Sequence, residues 1–174
     1  MISDTSPIIF YAKINRLQLL VDVVKTVIIS DEVYQEAVIH GSAFPDSKIT
    51  KEFLDEKKIT VTHIEKSHRP LVAAFTEKYT ALDNGEAETM VLALQEKEKE
   101  VLMDEEIARK VARLHGLTPR GTLWVLGQAY QQKRITEEET KHILGLLLDA
   151  GLWVSADVLQ RFYDILQKIG KTHL

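Results

Sequence analysis

Four carboxylates spread over about a hundred positions, Asp4, Glu36, Glu86 and Asp104, are the side chains of this 174-residue sequence best suited to chemistry. There is no cysteine, which removes thiolate ligands, disulfides and a cysteine nucleophile. No histidine pair stands at zinc-ligand spacing. What remains is oxygen chemistry. Carboxylates crowded together raise one another's pKa, so such a group is costly without a cation. Mg²⁺ and Mn²⁺ favour oxygen ligands. One or two such ions can activate water and neutralise charge on a phosphodiester during in-line attack.

The elements flanking these acids explain how they could meet. Short β-branched runs alternate with amphipathic stretches, the pattern of a parallel sheet covered by helices. Strands are expected at Met1–Ser3, Thr26–Ile29, Ile59–Thr62 and Val101–Met103, with a weak fifth near Leu117 to Gly121. Pro119 cannot donate to a ladder and assigns that fifth strand to an edge. Asp4 and Asp104 directly follow strands, and Glu36 lies on the helix after a strand. Glu86 opens a helix leading into the Asp104 strand. In a parallel sheet all carboxyl ends point one way, and ligands bind in the crevice outside them.

Helix signals fill the intervals. Ser6-Pro7 reads as a cap followed by a first-turn proline. Ser30 or Asp31 caps a helix running to about His40. Ala87, Met90, Val91 and Leu94 form an apolar stripe at i, i+3, i+4, i+7. Three further helices are expected at about 122–133, 137–149 and 155–169, the second opened by the capping box Thr136 to Glu139. The chain reads as one domain over 1–174, with a core at about 1–130 and a helical extension at about 131–174. Each acid also has a structural alternative. Asp4 could serve a turn, Asp104 could cap a helix starting at Glu105, and Glu86 could complete a capping box with Asp83. Glu36 could be an exposed helix glutamate, and Thr122 an N-cap. Glu88 and Glu105 rival the named acids.

The net charge of −4 argues against a protein that coats nucleic acid non-specifically, but its distribution is uneven. From Ile107 to Thr136 there is no acid and six cations, so that stretch is +6 and the remainder −10. Arg109, Arg113 and Arg120 fall there, directly after Asp104, where they could guide a phosphate backbone or simply form a solvated face. The opening residues lack the basic start and apolar core of a signal peptide, and no apolar run approaches the roughly 20 residues that span a bilayer. A cytoplasmic protein without a membrane partner is the expectation. The apolar runs at Gly145–Leu148 and Gly151–Val154 would suit core packing, or a homodimer or partner-peptide groove.

The segments that carry the acids resemble those of the PIN-domain family. The matching pieces are Ile2-Ser3-Asp4-Thr5-Ser6-Pro7, Val33-Tyr34-Gln35-Glu36, Leu82-Asp83-Asn84-Gly85-Glu86-Ala87-Glu88, Val101-Leu102-Met103-Asp104-Glu105 and Gly121-Thr122-Leu123. Their order and spacing are similar to the branch of predicted nucleic-acid-binding PIN proteins with G-E-A-E and G-T-L stretches. The resemblance implies an α/β three-layer sandwich, a central parallel sheet of four to five strands with helices on both faces, plus the helical extension. It implies a metal-dependent endoribonuclease that hydrolyses single-stranded RNA with Mg²⁺ or Mn²⁺. Asp4, Glu36, Glu86 and Asp104 would be catalytic, with Asp4, Asp104 and Glu86 on the metal and Thr5, Ser6 and Thr122 in support. By analogy with VapC-type toxins, an antitoxin protein would be a partner. A non-catalytic nucleic-acid-binding or regulatory role is the alternative. Glutamate at position 86, where toxin-type members carry aspartate, is a departure from the pattern, and Glu88 competes for that place.

Overall fold

The computed structural model describes the backbone of residues 1–173 and the side chains of residues 1–170. Five short strands, β1 (Ile2–Ser3), β2 (Val27–Ile29), β3 (Ile59–Val61), β4 (Glu100–Leu102) and β5 (Thr118–Arg120), form one parallel sheet in the order β3-β2-β1-β4-β5. The order reverses at β1, which lies between β2 and β4. Ser3 pairs with Leu102, and the Asp4 N–H donates to Leu102 O at 2.8 Å. β5 is at the edge, as Pro119 requires. The bonds to β4 use the flanking residues, with Thr118 N–H donating to Lys99 O and Arg120 O accepting from Met103 N–H. The proline that lacks a donor therefore faces the open side.

Alternation along the strands divides the core in two. Ile2, Val101 and Met103 pack with α5 (Arg69–Lys78), α6 (Asn84–Gln95) and α7 (Glu106–Leu114) on one face. Val27, Ile29, Ile59 and Leu102 pack on the other face with α1 (Thr5–Lys13), α2 (Leu17–Val24) and α8 (Thr122–Gln131). The same cluster takes in Ile143, Leu144 and Leu147 of α9 (Glu137–Asp149) and Phe162 and Leu166 of α10 (Ala156–His173), so the tail shares its core with α1 and α8. This is a three-layer α/β fold. Leu147 and Leu152 of the apolar tail runs are core, whereas Trp153 is 83% exposed. Among the described residues no helix is long and apolar enough to cross a membrane.

Several local expectations are corrected. α1 starts at Thr5 with Asp4, not Ser6, as its N-cap residue, which puts Pro7 in the third helical position. A proline anywhere in the first turn removes only an N–H that has no partner in the helix. α7 begins at Glu106 after Glu105, so Asp104 does not cap it. The short α3 (Asp31–Tyr34), capped by Ser30 Oγ, continues into a wider π-helical turn over Gln35–His40. The remaining helix, α4 (Pro45–Asp55), has its proline in the first turn.

Candidate metal centre

Asp4 and Asp104 leave neighbouring parallel strands at the same rim of the sheet. Asp4 is almost fully buried. Burial pushes its pKa well above the usual carboxylate range, the Thr5 backbone N–H opposes this, and the charges of Asp83, Glu86 and Glu36 push it further up. Three chain segments therefore deliver acids to the end of β1. Two helix N-termini, of α1 and α6, begin there, and their partial positive charge offsets some of the repulsion.

Glu36 enters from the π-helical turn. Its carboxylate accepts from Thr5 Oγ1, and its pKa is raised by burial, lowered by that hydroxyl and raised again by Asp83 and Glu32. The wider turn matters here because it changes which residues of the helix face the rim, and such turns recur at functional sites. Glu86 forms a capping box, one of the alternatives its position allows. Asp83 Oδ1 accepts from Glu86 N–H at 2.7 Å, and Glu86 Oε2 accepts from Asp83 N–H at 3.1 Å. The box also turns Glu86 inward. Burial, then Asp83, Glu105 and Glu36, raise its pKa to about 7, while the Asp83 N–H lowers it. Glu88 accepts from Glu32 N–H at 3.0 Å, at the start of α3.

Asp104 has different neighbours. Its Oδ1 accepts from Thr122 N–H at 2.8 Å and its Oδ2 from Thr122 Oγ1 at 2.7 Å. Burial raises its pKa, and the Thr122 bonds and the Arg109 charge lower it. Thr122 is the first residue of α8, after the N-cap Gly121, so its hydroxyl is committed to Asp104 rather than to capping. Thr122→Val should remove one of the two bonds and leave the N–H, lowering stability by about 1 kcal/mol. A melting temperature unchanged within a degree would contradict this.

At two glycines a side chain would press on a residue of the site. A Cβ on Gly85 would stand 2.9 and 3.1 Å from the Glu36 carboxylate oxygens, and one on Gly121 would stand 2.8 Å from Asp104 Oδ1 and 3.0 Å from Arg109 Nη1. Each glycine precedes a residue of the site, Glu86 or Thr122. Sequence reasoning misses this, as it misses Asp83 as a charge neighbour of Asp4. The doublets Gly85-Glu86 and Gly121-Thr122 are the available signal.

Of the three expected cationic contacts, Arg109 donates to Met103 O at 2.8 Å beside Asp104, and Arg113 is exposed and donates to Arg109 O at 3.3 Å. Arg120 is engaged by Glu100 Oε1 at 2.7 and 2.9 Å. Ser6 is half-buried and makes no side-chain hydrogen bond among the described residues.

The donor set suits a hard cation: every candidate ligand is a carboxylate oxygen, and all four have raised pKa values. Thr89, one turn along α6 from Glu86, keeps a buried hydroxyl without a partner among the described residues. As placed, however, no three His, Asp or Glu side chains among the described residues surround a common point. Glu36 is occupied by Thr5 and Glu86 by the Asp83 N–H, so an ion would have to compete with both bonds.

No curated protein and no solved structure matches the chain. A family model described as PIN domain matches residues 1–170. With nearly the whole length covered, and with this strand order, the chain belongs to the PIN-domain family.

Proposed function

We propose that the protein is a metal-dependent endoribonuclease that hydrolyses phosphodiester bonds of single-stranded RNA. PIN domains are generally nucleases acting on nucleic acid, and they generally use divalent metals. The observation that carries the reading for this chain is the placing of Asp4 and Asp104 just past neighbouring parallel strands, with Asp4 buried and its proton affinity raised by that burial and then by the charges of Asp83, Glu86 and Glu36. A group of that charge favours a cation over repeated protonation at neutral pH.

In this reading Asp4, Asp104 and Glu86 would hold Mg²⁺ or Mn²⁺, which when bound supplies an activated water and neutralises phosphate charge. Glu36, with one oxygen still accepting from Thr5, would complete the shell or orient water through the other. Thr5 would steady Glu36, Thr122 would hold Asp104 in one rotamer, and Ser6 would add a polar group to the rim. Arg109 and Arg113 would meet the backbone of the substrate. The chain would act as one unit, core and extension together, in the cytoplasm. An antitoxin protein and a homodimer are the partners that the toxin-like branch suggests.

The test compares the wild-type protein with Asp4→Asn on a long RNA, in Mn²⁺ and in chelator. Cleavage that needs the ion and the carboxylate supports the reading, and its absence in every metal removes it. A second reading is a non-catalytic nucleic-acid-binding protein. It is favoured by the hydrogen bonds that now occupy Glu36 and Glu86, and metal-independent RNA binding without turnover would establish it.

A further inference from the structure

Between α8 and α10 runs a groove of about 280 Å³, outside the acidic rim. Trp124 and Gly127 of α8 line it, with Arg161 and Phe162 of α10, and Arg109 reaches it from α7. This lining indicates the chemistry of its occupant.

Trp124 is a fixed platform. The Arg120 guanidinium lies 5.1 Å from the centre of its ring system, and Glu100 holds that guanidinium in place. At Gly127 a Cβ would make ordinary contact with the Phe162 ring, at 3.5 Å, so a longer side chain there would reach into the groove. Arg109 connects the groove with the rim, because the side chain that lines it also bonds to Met103 O beside Asp104. Arg161, ion-paired with Asp157 at 2.6 Å, adds a second cation on α10.

A fixed aromatic ring, apolar walls and cations are the parts that hold an unstacked base and its phosphates. The volume fits one planar ring system. A docked protein helix would need a far longer apolar track, since stable protein interfaces bury about 800 Å² on each partner.

We propose that the groove between α8 and α10 is a nucleobase subsite, which takes one unstacked base of single-stranded RNA against Trp124 while Arg109 and Arg161 meet the flanking phosphates. It rests on reading the rim as a nucleic-acid site, and it adds to that reading a defined place where one base of the strand is held.

The experiment uses the full chain carrying Trp153→Phe, which leaves Trp124 as the sole tryptophan. In chelator, a single-stranded oligouridylate hexamer should quench its fluorescence saturably, with affinity falling as salt rises, and a duplex of equal length should not. Trp124→Ala and Gly127→Leu, each checked by thermal melting, should weaken binding of a fluorescein-labelled hexamer about tenfold. Arg161→Ala should flatten the salt dependence by roughly one ion. Cleavage in Mn²⁺ is followed in the same proteins. Unchanged affinity in both Trp124→Ala and Gly127→Leu overturns the subsite, while cleavage that still requires Asp4 leaves the nuclease reading intact. Trp124-dependent binding without cleavage in any metal removes the nuclease reading and retains the subsite. Quenching by an acidic amphipathic peptide but not by RNA assigns the groove to a protein and overturns the proposal.

Discussion

Asp4→Asn is expected to abolish metal-dependent cleavage while making the metal-free protein more stable above pH 7. The first effect should be at least about 100-fold, because even groups one step removed from a bound metal cost 10–100-fold when lost. The second comes from the sign of the pKa shifts. Asp4, Glu36 and Glu86 all hold their protons more tightly in the fold than in the unfolded chain. Stability from this source is fully present below their ordinary pKa values and is lost as pH rises through the folded ones, which for Glu86 means near 7.

For Glu86 the full difference corresponds to roughly 3 kcal/mol, and screening at the open rim reduces it to about 1–2 kcal/mol. Metal-free wild type should therefore melt at a lower temperature at pH 8 than at pH 5.5. Asparagine at position 4 removes one charge from the cluster and should recover part of that loss, each kcal/mol being worth about 2–4 °C in a chain of this size. Added Mn²⁺ should raise the melting temperature of wild type at pH 8, by about 2.7 kcal/mol of stability at a hundred times its Kd, and leave the variant unmoved. A pH-independent melting temperature, or equal Mn²⁺ shifts in both proteins, would sink the account of the site.

Gly121→Val should be among the most disruptive single changes that leave every acid in place. Its first carbon would press on Asp104 and Arg109 together, and neither is the free end of an exposed chain: the carboxylate holds two bonds to Thr122 and the guanidinium one to Met103 O. Overpacking of this kind costs about 1–3 kcal/mol, a fall of roughly 2–12 °C in melting temperature. Gly85→Ala makes a similarly close approach, but to the tip of Glu36 alone, which can swing away from Thr5. Its melting temperature should change little while its response to Mn²⁺ weakens. Scanning calorimetry with and without Mn²⁺ separates the two, and a Gly121→Val protein that melts like wild type would refute the contact.

The sheet is legible in the sequence because each strand is marked by β-branched residues, and four of the five acquire their acids or turns immediately after them. β5 is weak in sequence, yet Pro119 alone determines its place. The approach of Asp4, Glu36 and Glu86 can be found because Asp4 stands just past β1, and the helical segment after β2 and the helix before β4 lead to the same rim. The arrangement around Asp104 cannot. Its bonds to Thr122 depend on β4 pairing with β5, which sets how α8 starts, and nothing local in Met103-Asp104-Glu105 encodes that. The local signals at Asp104 and at Ser6-Pro7 instead suggest a cap and a helix start, and longer-range contacts override both. Arg120 has the sequence character of a phosphate contact, whereas Glu100 and Trp124, one across the strand pair and one a helical turn on, engage its guanidinium.

The position of β1 also bears on how the molecule is made. Its two residues sit mid-sheet, and their partner Val101-Leu102 is translated about a hundred residues later. Until β4 emerges from the ribosome, Asp4 has only one neighbouring strand and the rim is incomplete. Closing so long a loop is slow compared with forming a helix. Nascent chains should accordingly show helical protection well before the rim assembles, so competence arrives late and in one step, and a truncated product stopping before residue 100 should be inert.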